Sequence, residues 1–149
     1  MADLSAGREE LRSRVRDEAV PPGATVLLRG GPDTVSLLRS HARRTHRLYC
    51  LDGRGVWGVS TFAALDADGP TSREGILGGR LATYAFVHAT TVTAALDAGF
   101  ELLPTFRRPH YTVRLAEDTT EEVARLLAVL GTPEDNPYNR GGESPSGKG

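Results

Sequence analysis

The chain has 149 residues, 39% apolar and 25% charged, a balance that suits one soluble globular domain with a core of its own. Its formal charge of −1 excludes a global attraction to nucleic acid or membrane, so any such binding has to come from a local patch. A single cysteine, Cys50, excludes an internal disulfide framework and points to a reducing, cytoplasmic setting, and no apolar run approaches the ~20 residues of a membrane span.

The N-terminal stretch lacks the apolar segment of a secretory signal. Residues 5–19 read as a helix, with Leu4, Leu11 and Val15 at helical spacing and charged residues on the other faces. Pro21, Pro22 and Gly23 stop it. Residues 24–29 read as a strand, Gly30 and Gly31 as a tight turn, and Pro32 and Asp33 as the start of a helix reaching about Arg44. Val35, Leu37 and Leu38 are its expected buried side. Residues 46–51 form a second strand, Asp52 and Gly53 a hairpin turn, and residues 56–60 the partner strand.

Residues 62–65 look helical or irregular, residues 66–72 form a loop, and residues 73–81 hold a short helix weakened by glycines. A strand follows over 82–88. Thr90 or Thr91 caps a helix running to Ala98, closed by Gly99. Two strand-like pieces, 100–103 and 110–115, flank a turn containing Pro104, Arg107, Arg108 and Pro109. Thr119 or Thr120 caps the last helix, with Thr119 and Glu122 at capping-box spacing and Val123, Leu126, Leu127 and Leu130 as its apolar face. Residues 132–149 show no core-forming pattern and are expected to be a disordered tail. The element order predicts a single α+β domain over 1–131, with a mixed or mainly antiparallel sheet and flanking helices.

Three short pieces carry chemistry in sequence order. Val26 to Gly30 ends a strand with Arg29 before a glycine pair. Gly58 to Phe62 brings Ser60 and Thr61 to the end of another strand. Glu101 to Phe106 holds a carboxylate followed by two leucines and Pro104. Together they resemble the arginine–serine–glutamate signature of the ADP-ribosyltransferase fold. The resemblance implies an NAD-binding domain in which Arg29 and Gly30 hold the dinucleotide's phosphates and Ser60 and Thr61 support the nicotinamide ribose. It makes Glu101 the catalytic carboxylate that favours an oxocarbenium-like transition state, with Ser60 and Arg29 beside it. It also suggests a toxin-like enzyme held by a protein partner or antitoxin. From the residues alone, Arg29 serves equally as a strand-end cap paired with a nearby acid, and Glu101 as a solvated strand-edge carboxylate.

Two other patterns give alternatives. His88 and Thr90, and His110 and Thr112, form paired His-x-Thr motifs similar to those of two-histidine phosphoesterases. There one imidazole acts as base and the other as acid on an RNA phosphate. A basic run, Arg39 to Arg47 with His41, Arg43, Arg44 and His46, is either charge compensation at a helix C-terminus or an RNA-binding patch extended by Arg107 and Arg108. Tyr49, Trp57 and Phe106 suit base stacking or the core equally. A non-catalytic interaction module using the terminal helices is the remaining alternative. No metal-ligand spacing, phosphate-loop continuation or nucleophile elbow is present.

Overall fold

Strands form where β-branched and aromatic residues alternate, and six of them build one antiparallel sheet. The computed structural model describes residues 7–139. In chain order the elements are β1 (Glu9–Glu10), a 3-10 turn (Leu11–Arg14), β2 (Val26–Gly31), α1 (Val35–Leu48), β3 (Tyr49–Leu51), β4 (Arg54–Gly55), β5 (Trp57–Ala63) and α2 (Arg73–Gly78). They continue with β6 (Phe86–Thr91), α3 (Val92–Asp97), β7 (Glu101–Leu103), β8 (His110–Leu115), α4 (Thr120–Leu130) and β9 (Glu134–Asp135). The main sheet has the order β7-β8-β5-β2-β6-β9, and a small one has the order β1-β3-β4. Every pair in the main sheet is antiparallel; β1 and β3 pair in parallel. The domain is therefore α+β with a mainly antiparallel sheet, as the element order predicts. No helix among the described residues is long and apolar enough to cross a membrane.

Alternation assigns the two faces of the main sheet. Leu27, Val59, Ala63, Leu102, Tyr111 and Val113 point to one face and pack with Leu38 and Ala42 of α1, Val92 and Ala95 of α3, and Val123, Leu126 and Leu130 of α4. On the other face Leu28 and Val87 meet Ile76, Leu77 and Leu81, brought by α2 and the turn after it. A third cluster joins Leu11, Leu51 and Val56 to Leu103, Tyr49 and Phe106, tying the small sheet to the β7 end. Cys50 is buried.

The turn between β7 and β8 is held by Arg16. Its Nη1 donates to the carbonyls of Thr105 at 2.7 Å and His110 at 2.9 Å, and its Nη2 to Glu18 at 2.6 Å. Glu18 also accepts from the Tyr111 hydroxyl at 2.8 Å. Burial, reinforced by Glu18, pushes the Tyr111 phenol up to about 12. Burial opposes the charge on Glu18, yet the hydrogen bonds from Arg16 and Tyr111 prevail and hold its carboxyl below the ordinary range.

Several local expectations are revised. The helix over 5–19 is absent from the part of that range the structure describes. Glu9 and Glu10 instead pair with Tyr49 and Cys50, Leu11 is fully buried, and Val15 bridges to Thr105. Gly30 and Gly31 continue β2 rather than turning. Helix α1 runs on to Leu48 and buries Ala42, while Leu37 is 48% exposed. The Asp52-Gly53 turn forms with positive φ at both residues, as a two-residue hairpin requires. Its partner strand is only Arg54–Gly55, however, because β5 is taken by β2 and β8. Phe62 and Ala63 belong to β5, and the strand expected at 82–88 lies at 86–91.

The expected disorder after Gly131 does not extend over residues 132–139; residues 140–149 lie outside those described. Strand β9 pairs with Phe86 and Val87. Asn136, 5% exposed, donates from Nδ2 to the carbonyls of Leu77, Leu81 and Tyr84 at 3.0–3.1 Å, and its own N–H donates to Ala85. One buried amide thus serves the Leu77 and Tyr84 carbonyls and adds a second donor to that of Leu81, which also accepts the Tyr84 N–H, a role that hydropathy does not register. Asn136→Ala leaves the Leu77 and Tyr84 carbonyls without this donor. It is expected to lower unfolding free energy by about 2–3 kcal/mol in urea denaturation, against less than about 0.5 kcal/mol for the exposed neighbour Glu134→Ala. Equal effects at the two positions would contradict the plug.

Candidate functional site

The site grows from an incomplete ladder. β2 and β5 pair over two positions only, Leu27 with Ala63 and Leu28 with Phe62, whereas each pairs over six with its other neighbour. Beyond Leu28 the carbonyls of Gly58 and Ser60, two residues apart and so on the same edge of β5, need other donors. Thr45 of α1 donates Oγ1–H to the Gly58 carbonyl at 2.9 Å. Arg29 donates Nη1–H to the Ser60 carbonyl at 2.9 Å. Gly58 permits this close approach: a Cβ there would stand 2.7 Å from Thr112 Cγ2 and 3.0 Å from Thr45 Cγ2.

Arg29 is itself locked. Its Nε donates to Asp33 Oδ2 at 2.8 Å and its Nη2 to Oδ1 at 3.4 Å, with both side chains under a tenth exposed. The Asp33 backbone N–H donates to His88 Nε2 at 3.2 Å, so that nitrogen is the acceptor and Nδ1 carries the proton. Nδ1 then donates to the Gly131 carbonyl at 3.0 Å. A continuous polar chain therefore runs from β5 through β2 and β6 to the end of α4. The expected pairing of Arg29 with a nearby acid is met by Asp33, although Arg29 lies inside β2 rather than at its end.

The open seam widens into a cleft of about 380 Å³. Gly30, Gly58, Ser60, Phe62 and Thr112 make its floor. His41, Arg44, Thr45 and Leu48 of α1, Arg80, Leu81 and Tyr84 after α2, and Leu11, Tyr49 and Phe106 beside the small sheet make its walls. Ser60 is exposed although β5 is an interior strand, because no described residue covers it there. Gly30 has no side chain because a Cβ would lie 2.5 Å from the Tyr84 ring. Phe106 holds φ at +59° while its N–H donates to the Arg14 carbonyl at 2.7 Å, fixing the ring at the cleft wall despite a conformation disfavoured for a bulky residue. Burial, with Arg29 and Arg44 adding to it, lowers the His41 pKa, against an opposing pull from Asp33. No Asp or Glu among the described residues lines the cleft.

Among the residues singled out from sequence, Arg29, Gly30, Ser60, Arg44 and Thr112 come together here. Thr61 does not: it is buried on the opposite face and donates to the Tyr111 carbonyl at 2.9 Å. Glu101 sits exposed on β7, paired across the strands with Arg114 at 3.4 Å, and lines a separate depression with Trp57 and His46. Those two rings stack at 3.6 Å.

The two histidines do not converge. Register places His88 opposite Arg29 and His110 opposite Phe62, which itself pairs with Leu28, so the rings point to opposite faces. Thr90 lies in the His88 row, directed away from the cleft. The paired-histidine arrangement is thus corrected: strand alternation separates the rings by the thickness of the sheet. His110 is held instead by Thr105 Oγ1 at 2.9 Å, which also meets Thr112 Oγ1 at 2.6 Å.

The basic residues are dispersed too. Arg39 and Arg43 share Asp118, Arg47 lines a shallow depression along α1 with them, Arg108 pairs with Asp66 and Glu18, and Arg107 lies beside Arg14 and Arg16. No group of three His, Cys, Asp or Glu among the described residues is arranged to hold a metal ion. Sequence reasoning missed Arg80 and Tyr84. The signal available for Tyr84 was Gly30, since a glycine inside a strand marks a close approach from elsewhere.

Burial is the main cause that takes the His110 imidazole down from 6.5 to about 4. Between those values the unfolded chain binds the extra proton and the folded one does not. Stability is therefore fully present above pH 6.5 and is lost as pH falls towards 4, by up to about 3 kcal/mol from this ring. Urea midpoints followed from pH 7 to 4 should fall in the wild type and fall less in His110→Asn. Parallel profiles would remove His110 as the cause.

No family model, no curated protein and no solved structure matches the chain.

Proposed function

We propose that the domain binds NAD, or a dinucleotide closely like it, in this cleft, as an ADP-ribosyltransferase-like domain. The observation that carries the reading is the exposed Ser60 hydroxyl on an interior strand, adjoining the Arg29-bearing strand, inside a cleft that offers guanidiniums and aromatic faces but, among the described residues, no carboxylate. Each ligand part has a matching group. Phosphates suit the arginines, a ribose hydroxyl suits Ser60, and planar bases suit Tyr49, Tyr84 and Phe106. A cleft of this volume lies within the range usual for small-molecule sites.

The reading assigns binding to the cleft and leaves transfer chemistry without a carboxylate partner there. Steadying a positive charge at the ribose needs an anion close to the reacting carbon, and Glu101 is engaged with Arg114 in a different depression. Binding is therefore expected to be independent of Glu101.

Calorimetric titration of the full chain with NAD checks this. Saturable binding is expected in the wild type, unchanged in Glu101→Gln and weakened about tenfold or more in Ser60→Leu, which fills the floor without touching the core. Absence of saturable binding in the wild type would overturn the proposal. NAD consumption by the wild type that disappears in Glu101→Gln would return that carboxylate to the mechanism.

A further inference from the structure

Three arginines line the cleft, and their circumstances differ. Arg29 is 6% exposed, has its charge matched by Asp33, and spends Nε, Nη1 and Nη2 on Asp33 and the Ser60 carbonyl. A guanidinium so occupied holds the seam together; turning it towards a ligand would leave Asp33 buried without its partner and the Ser60 carbonyl without a donor.

Arg44 and Arg80 are both exposed. Arg44 makes no ion pair or hydrogen bond among the described residues, although Arg39 and Arg43 on the same helix both reach Asp118. Arg80 has no carboxylate partner among the described residues either; its guanidinium carbon lies 5.4 Å from the centre of the Phe62 ring, over the cleft floor. The two stand on separate elements, α1 and the turn after α2, and face a cleft with no acidic residue in its lining among the described residues. Two uncompensated cations converging on a concave, carboxylate-free site favour an anion, and their origin on different elements favours one with two linked charged groups.

We infer that Arg44 and Arg80, rather than Arg29, form the anion clamp of the cleft and that its ligand carries a diphosphate. This rests on the reading of the cleft as a dinucleotide site and names the residues that would hold the phosphates. Arg29 then acts as a positioning residue that sets the carbonyl edge of β5.

The test uses the full chain, with inorganic pyrophosphate and NAD as separate probes, in wild type, Arg44→Gln, Arg80→Gln and the control Arg47→Gln, an exposed arginine of α1 outside the cleft. Pyrophosphate binding is expected to weaken about tenfold in each cleft variant and to lose part of its salt dependence. Arg47→Gln should match the wild type, and thermal midpoints should stay within a degree or two of it. Wild-type binding that Arg44→Gln and Arg80→Gln leave unchanged, or no pyrophosphate binding at all, overturns the clamp. Pyrophosphate binding that depends on both arginines without any NAD binding upholds the clamp and removes the NAD reading. NAD binding indifferent to both arginines does the reverse.

Discussion

The Arg29 bridge across the unfinished β2–β5 ladder is the interaction on which the rest of the molecule depends. A continuous ladder would close the sheet and leave no cleft. A seam with no donors would leave two β5 carbonyls without partners, each a loss of about 1–3 kcal/mol if buried. Arg29 and Thr45 supply those donors while keeping the strands apart. The arrangement is demanding because Arg29 and Asp33 are both nearly inaccessible. Removing one member of such a pair typically costs about 3–5 kcal/mol, since the other charge stays buried. His88 adds a further anchor by accepting the Asp33 N–H and donating to Gly131.

The N-terminal arm and the β7–β8 turn solve a related problem. Carbonyls at Thr105 and His110 converge on one guanidinium, that of Arg16, whose charge is balanced by Glu18, which in turn receives the Tyr111 hydroxyl. Phe106, on the far side of that turn, reaches the cleft wall. The density of polar and aromatic residues from Gly99 to Leu115 is thus spent mainly on fixing the turn, and only Phe106 and Thr112 of that stretch line the cleft.

Much of the sheet was legible in the sequence because its signals are local. The strand around residues 110–115, the Asp52-Gly53 turn, and the Thr91 and Thr119 caps follow from alternation, positive φ and hydroxyl geometry over three or four residues. Other parts depend on partners far along the chain. Leu11 and Val15 have helical spacing, yet pairing of Glu9–Glu10 with β3 overrides it. Asn136 reads as tail because its value lies in three distant carbonyls. In the cleft, Arg29 and Ser60 were singled out as residues closing apolar runs, although both lie inside their strands. The distance between Glu101 and that cleft was not legible, because it depends on which strand lies beside β5, and that neighbour is β8 rather than β7.

Successive residues of β5 belong to different tasks. Val59 is fully packed beneath the helices and Thr61 is hydrogen-bonded on that same buried side, whereas Ser60 between them contributes to no apolar cluster. The strand therefore keeps the open cleft and the packed core on opposite sides of one backbone. Residue 60 can thus change without disturbing the helix-side core, so the floor of the cleft is free to vary while the architecture is retained.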